Sequence, residues 1–225
     1  MAGRIAYLGN ISPQGLVLDL DAGIKGSYPK TGSTWFDISN NGNNGTLTNG
    51  PLYTGSNYGA IVFDGVDDWV NTGDILNTTG SFSITSWIKI VGDRIYPIVS
   101  KWDSSGGANN KRFFLFRVNT TTLQFFDSNS TLAIGGTVTS NTWTETTVVI
   151  NGSNSQLYIN GVPSGATFSP TLSIKTGVNL GIGCYSYSLD NFFSGSIANT
   201  SIYNRALTQS EITQNFNALR GRYGI

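Results

Sequence analysis

Short apolar runs that alternate residue by residue, each closed by a cluster of Gly, Asn, Ser or Thr, recur along this chain almost to its C-terminus. Alternation places successive side chains on opposite faces, the signature of a half-buried strand. Residues 16–20 (LVLDL) open the series, with Leu16, Leu18 and Leu20 on one face and Val17 and Asp19 on the other. Residues 59–64 (GAIVFD), 81–90 (SFSITSWIKI), 96–102 (YPIVSKW), 113–118 (FFLFRV) and 123–126 (LQFF) continue it. Residues 144–150 (TETTVVI) and 155–159 (SQLYI) follow, and the second runs into Asn160 and Gly161. That pair suits the positive φ angles of a two-residue hairpin turn. Residues 180–183 and 193–202 complete the set. About a dozen strands without βαβ spacing specify an all-β chain folded as a two-sheet antiparallel sandwich.

One helix is legible near the end. Thr208 and Glu211 form a capping box, in which the hydroxyl and the carboxylate satisfy otherwise orphaned N–H groups. Leu207 and Ile212 stand where a hydrophobic staple requires them, and Ile212, Phe216 and Leu219 share one helical face up to a stop at Gly221. A helix this short does not stand alone and is expected to pack on a sheet edge. No linker, charge block or internal repeat divides the chain. It reads as an N-terminal arm, residues 1–15, and one sandwich domain, residues 16–225.

Composition narrows the function. The chain has 13 Lys+Arg against 13 Asp+Glu, and only 12% of its residues are charged. Its polarity comes from 23 Asn, 25 Ser, 25 Thr and 28 Gly. A polyanion binder needs a basic surplus to release counterions, so nucleic acid is excluded as a partner. With 39% hydrophobic and 12% aromatic residues the chain can fill a core, which excludes disorder. There is no His, which removes the usual general base and zinc ligand. The single cysteine, Cys184, excludes an intrachain disulfide and reads as a buried thiol at a strand end. Apolar runs fall far short of a membrane span, so no membrane partner is expected. Residues 1–10 (MAGRIAYLGN) hold no apolar stretch long enough for a secretory signal, which points to assembly in a cytoplasm.

Three stretches then stand in order. The first is residues 16–21 (LVLDLD) with 35–39 (WFDIS) and 43–46 (NNGT). The second is residues 60–70 (AIVFDGVDDWV) with 82–87 (FSITSW), and the third is residues 195–207 (GSIANTSIYNRAL). Together they resemble the laminin G-like modules of the concanavalin A-like lectin/glucanase superfamily. The resemblance implies a two-sheet antiparallel jelly-roll sandwich with one short C-terminal helix. It implies no single function, since the superfamily includes carbohydrate-binding and adhesion modules, glycoside hydrolases and parts of phage virions. The Asn/Thr/Gly-rich wording and the YNRAL ending resemble in particular modules in structural proteins of tailed phages.

Glycoside hydrolysis needs two carboxylates flanking the scissile bond. Glu145 and Glu211 are the only glutamates; Glu211 belongs to the capping box and Glu145 has no acidic neighbour. Asp19 and Asp21 share a strand face and read as hydrogen-bonding groups at the rim. The chain is therefore expected not to be an enzyme. The resemblance implies calcium at the sandwich rim, for which Asp64, Asp67, Asp68 and Asp190 are the weak candidates. The acidic pattern of relatives appears here as Ala198 and Asn199, so no cofactor is expected. Trp35, Trp69, Trp87 and Trp143 fall at family core positions. Tyr96, Trp102, Tyr185 and Tyr187 lie near strand ends, where loops could present them to a sugar.

Two functions follow as expectations. The first is a non-enzymatic structural protein of a tailed-phage virion, a capsid decoration or cement protein on the capsid exterior, assembled in the host cytoplasm. Its partners would be the major capsid protein and copies of itself, gripped through Ile5, Tyr7, Leu8 and Ile11 of the arm. The alternative is a glycan-binding or host-adhesion module, as in a tail fibre or surface lectin, whose partners are surface glycans.

Overall fold

The computed structural model describes residues 11–103, 111–127, 132–174, 176–186 and 191–225. In chain order the strands begin with β1 (Leu16–Asp21), β2 (Thr34–Trp35), β3 (Gly45–Thr48), β4 (Leu52–Thr54), β5 (Ala60–Asp64), β6 (Trp69–Asn71) and β7 (Phe82–Ile90). They continue with β8 (Ile95–Asp103), β9 (Lys111–Asn119), β10 (Thr122–Phe126), β11 (Leu132–Thr137) and β12 (Thr144–Ile150). The last are β13 (Ser155–Ile159), β14 (Val162–Phe168), β15 (Gly181–Ile182) and β16 (Ser194–Tyr203), followed by the helix α1 (Gln209–Leu219).

These strands form two antiparallel sheets of eight. The first runs β14-β13-β12-β7-β16-β5-β4, with β1 also pairing the far half of β16. The second runs β11-β10-β9-β8-β15-β6-β3-β2. Alternation in the sequence decides what each strand turns inward. Phe82, Ile84, Ile88 and Ile90 of β7 meet Phe114, Phe116 and Val118 of β9 and Phe125 of β10 in one core. The jelly-roll sandwich expected from the sequence is the architecture found.

The outward residues of the first sheet are buried as well. Trp87, Val149, Ala198 and Tyr203 leave an apolar patch, and Ile212 and Leu219 of α1 close over it. The helix thus lies on the sheet's face rather than its edge, because that face carries the large apolar patch that α1 buries. Tyr223, just beyond α1, stacks on Trp87 at 4.2 Å and tilts against Trp143 at 4.8 Å between ring centroids. The polar outward residues survive burial by pairing: Thr85 with Thr147 at 2.8 Å, and Ser83 to the Arg205 carbonyl at 2.9 Å. The capping box forms as expected, and Arg205 adds a charged bond to Glu211 at 2.5 Å.

Ile11 is buried in the same cluster, and the Ser12 N–H donates to the Asn215 side chain at 2.7 Å. Its own chain's helix covers Ile11, which corrects its assignment to a partner-binding arm. Ile5, Tyr7 and Leu8 lie outside the described residues.

Two carboxyls sit under this C-terminal cover. Asp19 accepts from Asn199 at 2.9 Å and Ser201 at 2.8 Å, so it is a buried network member and not a rim group. Burial, reinforced by the Asp21 charge, pushes its carboxyl up to about 7. Burial likewise pushes Glu145 up to about 8, against the one N–H it receives from Gly161 at 3.0 Å. Both hold a proton in the folded chain that the unfolded chain has released above the ordinary values of 3.8 and 4.5. Their contribution to stability is full below those values and is lost as pH rises through 7 to 8. Glu211 works in the opposite sense: its bond to Arg205 lowers it to about 2, so its contribution is lost only in acid. Melting temperature is therefore expected to fall from about pH 5 to about pH 8, and Glu145→Gln to flatten the fall, at about 1.4 kcal/mol per pKa unit. A profile whose slope the substitution leaves unchanged would show that Glu145 is ionised in the folded chain.

Candidate functional site

No helix covers the outer face of the second sheet among the described residues. The hairpin β9–β10 sets its centre. Asn119 pairs with Thr122 across a two-residue turn, and that register places Arg117 opposite Gln124. The Arg117 Nε–H donates to Gln124 Oε1 at 3.0 Å, and its Cζ lies 4.4 Å from the centre of the Phe126 ring. Ile134 of β11 stands opposite Gln124 and is exposed.

A second set of bonds brings Tyr185 to this face. Ser100 Oγ donates to the Cys184 carbonyl at 2.8 Å and accepts from the Ser186 N–H at 2.9 Å. The Trp102 N–H donates to Ser186 Oγ at 2.9 Å. The segment can lie this close because Gly181 has no side chain: a Cβ there would come within 2.8 Å of Cys184 Sγ. Residues 184–186 are thereby stitched along β8, with the Tyr185 ring 5.1 Å from Trp102. The Tyr185 hydroxyl accepts from Arg117 Nη1 at 2.6 Å. Trp102, Tyr185, Arg117, Gln124 and Phe126 are one connected cluster on a sheet face, with Trp102, Arg117 and Phe126 half-buried and Tyr185 and Gln124 buried beneath them as supports. Rigid aromatic faces beside fixed hydrogen-bonding groups suit a sugar, which presents apolar C–H faces and a rim of hydroxyls.

Two of the four residues expected to meet a glycan, Trp102 and Tyr185, are brought together here. Tyr96 is not among them, and its assignment is corrected. It is fully buried, its ring packs edge-on against Phe193, and its hydroxyl donates to the Val91 carbonyl at 2.9 Å. Tyr187 and Asp190 lie outside the described residues. Arg117, Gln124 and Phe126 were missed by sequence reasoning, although hairpin register alone would have paired the first two. Trp35, Trp69, Trp87, Trp143 and Cys184 are buried, as expected.

A cleft of about 350 Å³ lies elsewhere, lined by Val17, Asn41, Asn43, residues 75–78 and Asn204. Lys101, its side chain fully buried, braces that cleft's loop. Its Nζ donates to Asp74 at 2.6 Å and to the Ile75 carbonyl and Asn77 at 2.7 Å. At the Asp64 turn, carboxylate oxygens of Asp64, Asp67 and Asp68 lie within 4.8 Å of one another. The turn consumes part of this set itself: Asp64 accepts from Val66 at 2.8 Å and Asp68 accepts from the Asp64 N–H at 3.0 Å.

The model of the concanavalin A-like lectin/glucanases superfamily matches residues 63–213, and the chain belongs to that superfamily. Among solved structures, a Trypanosoma rangeli sialidase mutant displaying trans-sialidase activity is similar, with a TM-score of 0.72 at 15% identity. That likeness covers 100% of this chain and 38% of the sialidase. Domain 4 of AbnA, a GH43 extracellular arabinanase from Geobacillus stearothermophilus solved with arabinotriose, gives 0.62 at 21% identity, covering 89% of this chain and 97% of that domain. The binding domain of Paraclostridial Mosquitocidal Protein 1 gives 0.67 at 19% identity, covering 94% and 53%. Compared with curated protein sequences, the chain has no match. It spans about a third of the length of the sialidases, and likeness at these identities shows a shared fold. These neighbours correct the expectation that the chain is no enzyme. Sialidase chains and a domain of an arabinanase carry its fold, so the fold occurs within enzymes.

Because the Asp64 turn satisfies itself with backbone N–H groups, chelator is expected to move the melting temperature by less than about 3 °C. A larger drop, reversed by calcium alone, would identify Asp64, Asp67 and Asp68 as a ligand set.

Proposed function

We propose that this member of the concanavalin A-like lectin/glucanase superfamily is a glycan-binding module that takes its ligand on the outer face of the second sheet. The observation that carries the reading is the convergence of Trp102, Tyr185, Arg117, Gln124 and Phe126 on that face. Three separate strands and one stitched segment supply these residues, so the arrangement is held by the fold rather than by a loop. The arabinanase domain supports the reading: it shares the fold over nearly all of its own length and was solved with arabinotriose. The expectation of a capsid decoration protein, with the major capsid protein as partner, draws no comparable support. Ile11, one of its contact residues, is buried by the chain's own helix.

A sugar ring lying on the face would rest its C–H surface on Trp102. Gln124 and Arg117 would direct its hydroxyls. Affinity electrophoresis against a panel of plant, bacterial and animal glycans, beginning with arabinan, finds the ligand class. Trp102→Ala is expected to weaken the binding found by at least about tenfold, worth about 1.4 kcal/mol. Trp102→Phe is expected to keep most of it, since an aromatic surface remains. Binding that survives Trp102→Ala intact, or no binding to any glycan by a protein that melts cooperatively, would contradict the proposal.

A further inference from the structure

Among the described residues, Arg117 is a cation without an anion. Three other buried or part-buried cations are neutralised, Lys101 by Asp74, Arg205 by Glu211 and Arg222 by Asp21, whereas part-buried Lys89 lies over the Trp143 ring. Among the described residues no carboxylate lies in ion-pair range of Arg117, and its partners are the neutral Gln124, Tyr185 and Phe126. Placing a charge among neutral, half-buried groups costs desolvation that a carboxylate would offset. The guanidinium is nonetheless held still by two hydrogen bonds and by the ring beneath it. Those bonds occupy the Nε–H and one N–H of Nη1, out of five donors. Among the described residues one N–H of Nη1 and both of Nη2 meet no acceptor, and adjacent N–H groups on Nη1 and Nη2 match the two oxygens of a carboxylate.

We infer that this face selects glycans carrying a carboxylate, a uronate or sialate residue, with Arg117 as the group that reads the charge. The inference rests on the glycan-binding reading and narrows it. A neutral sugar would replace water at Arg117 with hydroxyls only. An acidic one makes two charge-assisted bonds in a partly desolvated setting, where such bonds are about twice as strong as neutral ones. Trp102 and Phe126 meanwhile supply apolar contact to either kind of ring, so the charge decides between them. Specificity comes from Arg117 and general affinity from the aromatic surface.

The test is calorimetric titration of the full chain with two acid and neutral pairs: trigalacturonate against its methyl ester, and sialyllactose against lactose. The two pairs separate a uronate from a sialate source of the carboxylate. At least one acidic member is expected to bind about tenfold or more tightly than its neutral counterpart. Arg117→Gln, which can still hydrogen-bond, is expected to abolish that preference while leaving the melting temperature nearly unchanged, and to weaken the acidic member of a pair far more than the neutral one. Arg117→Lys, which keeps charge but loses the fork, is expected to retain part of it. Equal binding of both members of each pair, or a preference that persists in Arg117→Gln, would overturn the inference and leave the glycan-binding reading standing. Binding to none of the four probes, with glycans of the wider panel bound only in neutral form, would also overturn it. No binding to any glycan would remove the broader reading with it.

Discussion

The C-terminal cover on the first sheet is the constraint from which the rest follows. β16 is the centre of that sheet, with β7 on one side and both β5 and β1 on the other, and nine of its ten residues are buried. A strand in an antiparallel sandwich normally gives one face to water. Here α1 and Tyr223 close that face over Trp87, Val149 and Tyr203. The cover is locked at three points. Thr208 and Glu211 cap the helix, Arg205 and Ser12 both bond Glu211, and Arg222 reaches back to Asp21 at 2.8 Å. Both ends of the described domain are thereby fixed to one sheet, and no helix covers the other sheet's outer face among the described residues.

That division explains the character of the two faces. Under the cover, polar groups are paired internally or kept neutral: hydroxyls pair across strands, Asp19 sits in an amide and hydroxyl network, and Glu145 is held protonated by burial. Such groups stabilise the domain only while they remain enclosed. On the other sheet, the polar groups are fixed but not exhausted. Arg117 is held by Gln124 and Tyr185 with donors to spare. The first arrangement is that of a core, and the second is the arrangement that the proposed recognition surface requires.

The sequence made the regular parts of the fold legible and left the irregular ones hidden. Long alternating runs became β7, β9, β12 and β16, because period-two burial is a direct physical consequence of strand geometry. Thr208 and Glu211 declared the helix start through their own side-chain chemistry. Strands such as β2, β6 and β14 were not legible. The first two are short enough that periodicity has no room to show, and β14 is largely exposed, so no apolar pattern marks it. The helix position was misjudged because Trp87 and Tyr203 are isolated large residues on otherwise polar faces, and only the assembled sheet makes them a patch. At the site, Trp102 and Tyr185 were identifiable as aromatics near strand ends. Tyr96 shared that description and is core, since a bulge between Pro97 and Val99 resets which side each residue faces. Arg117 carried no sequence signal of its own beyond its register with Gln124.

The central claim is that one sheet face, and not the cleft beside Asn41 and Leu76, is where this domain meets its ligand. Indole and guanidinium N–H signals in a two-dimensional NMR titration with a bound oligosaccharide test it directly, since each tryptophan and arginine reports separately. The account predicts that the Trp102 indole and Arg117 Nε signals move together with added sugar, while those of Trp87 and Trp143 beneath α1 stay fixed. Trp102 and Arg117 signals that stay unmoved at saturating sugar, with the backbone amide shifts in the same spectrum confined to Asn41, Asn43, Leu76 and Asn77, would contradict it.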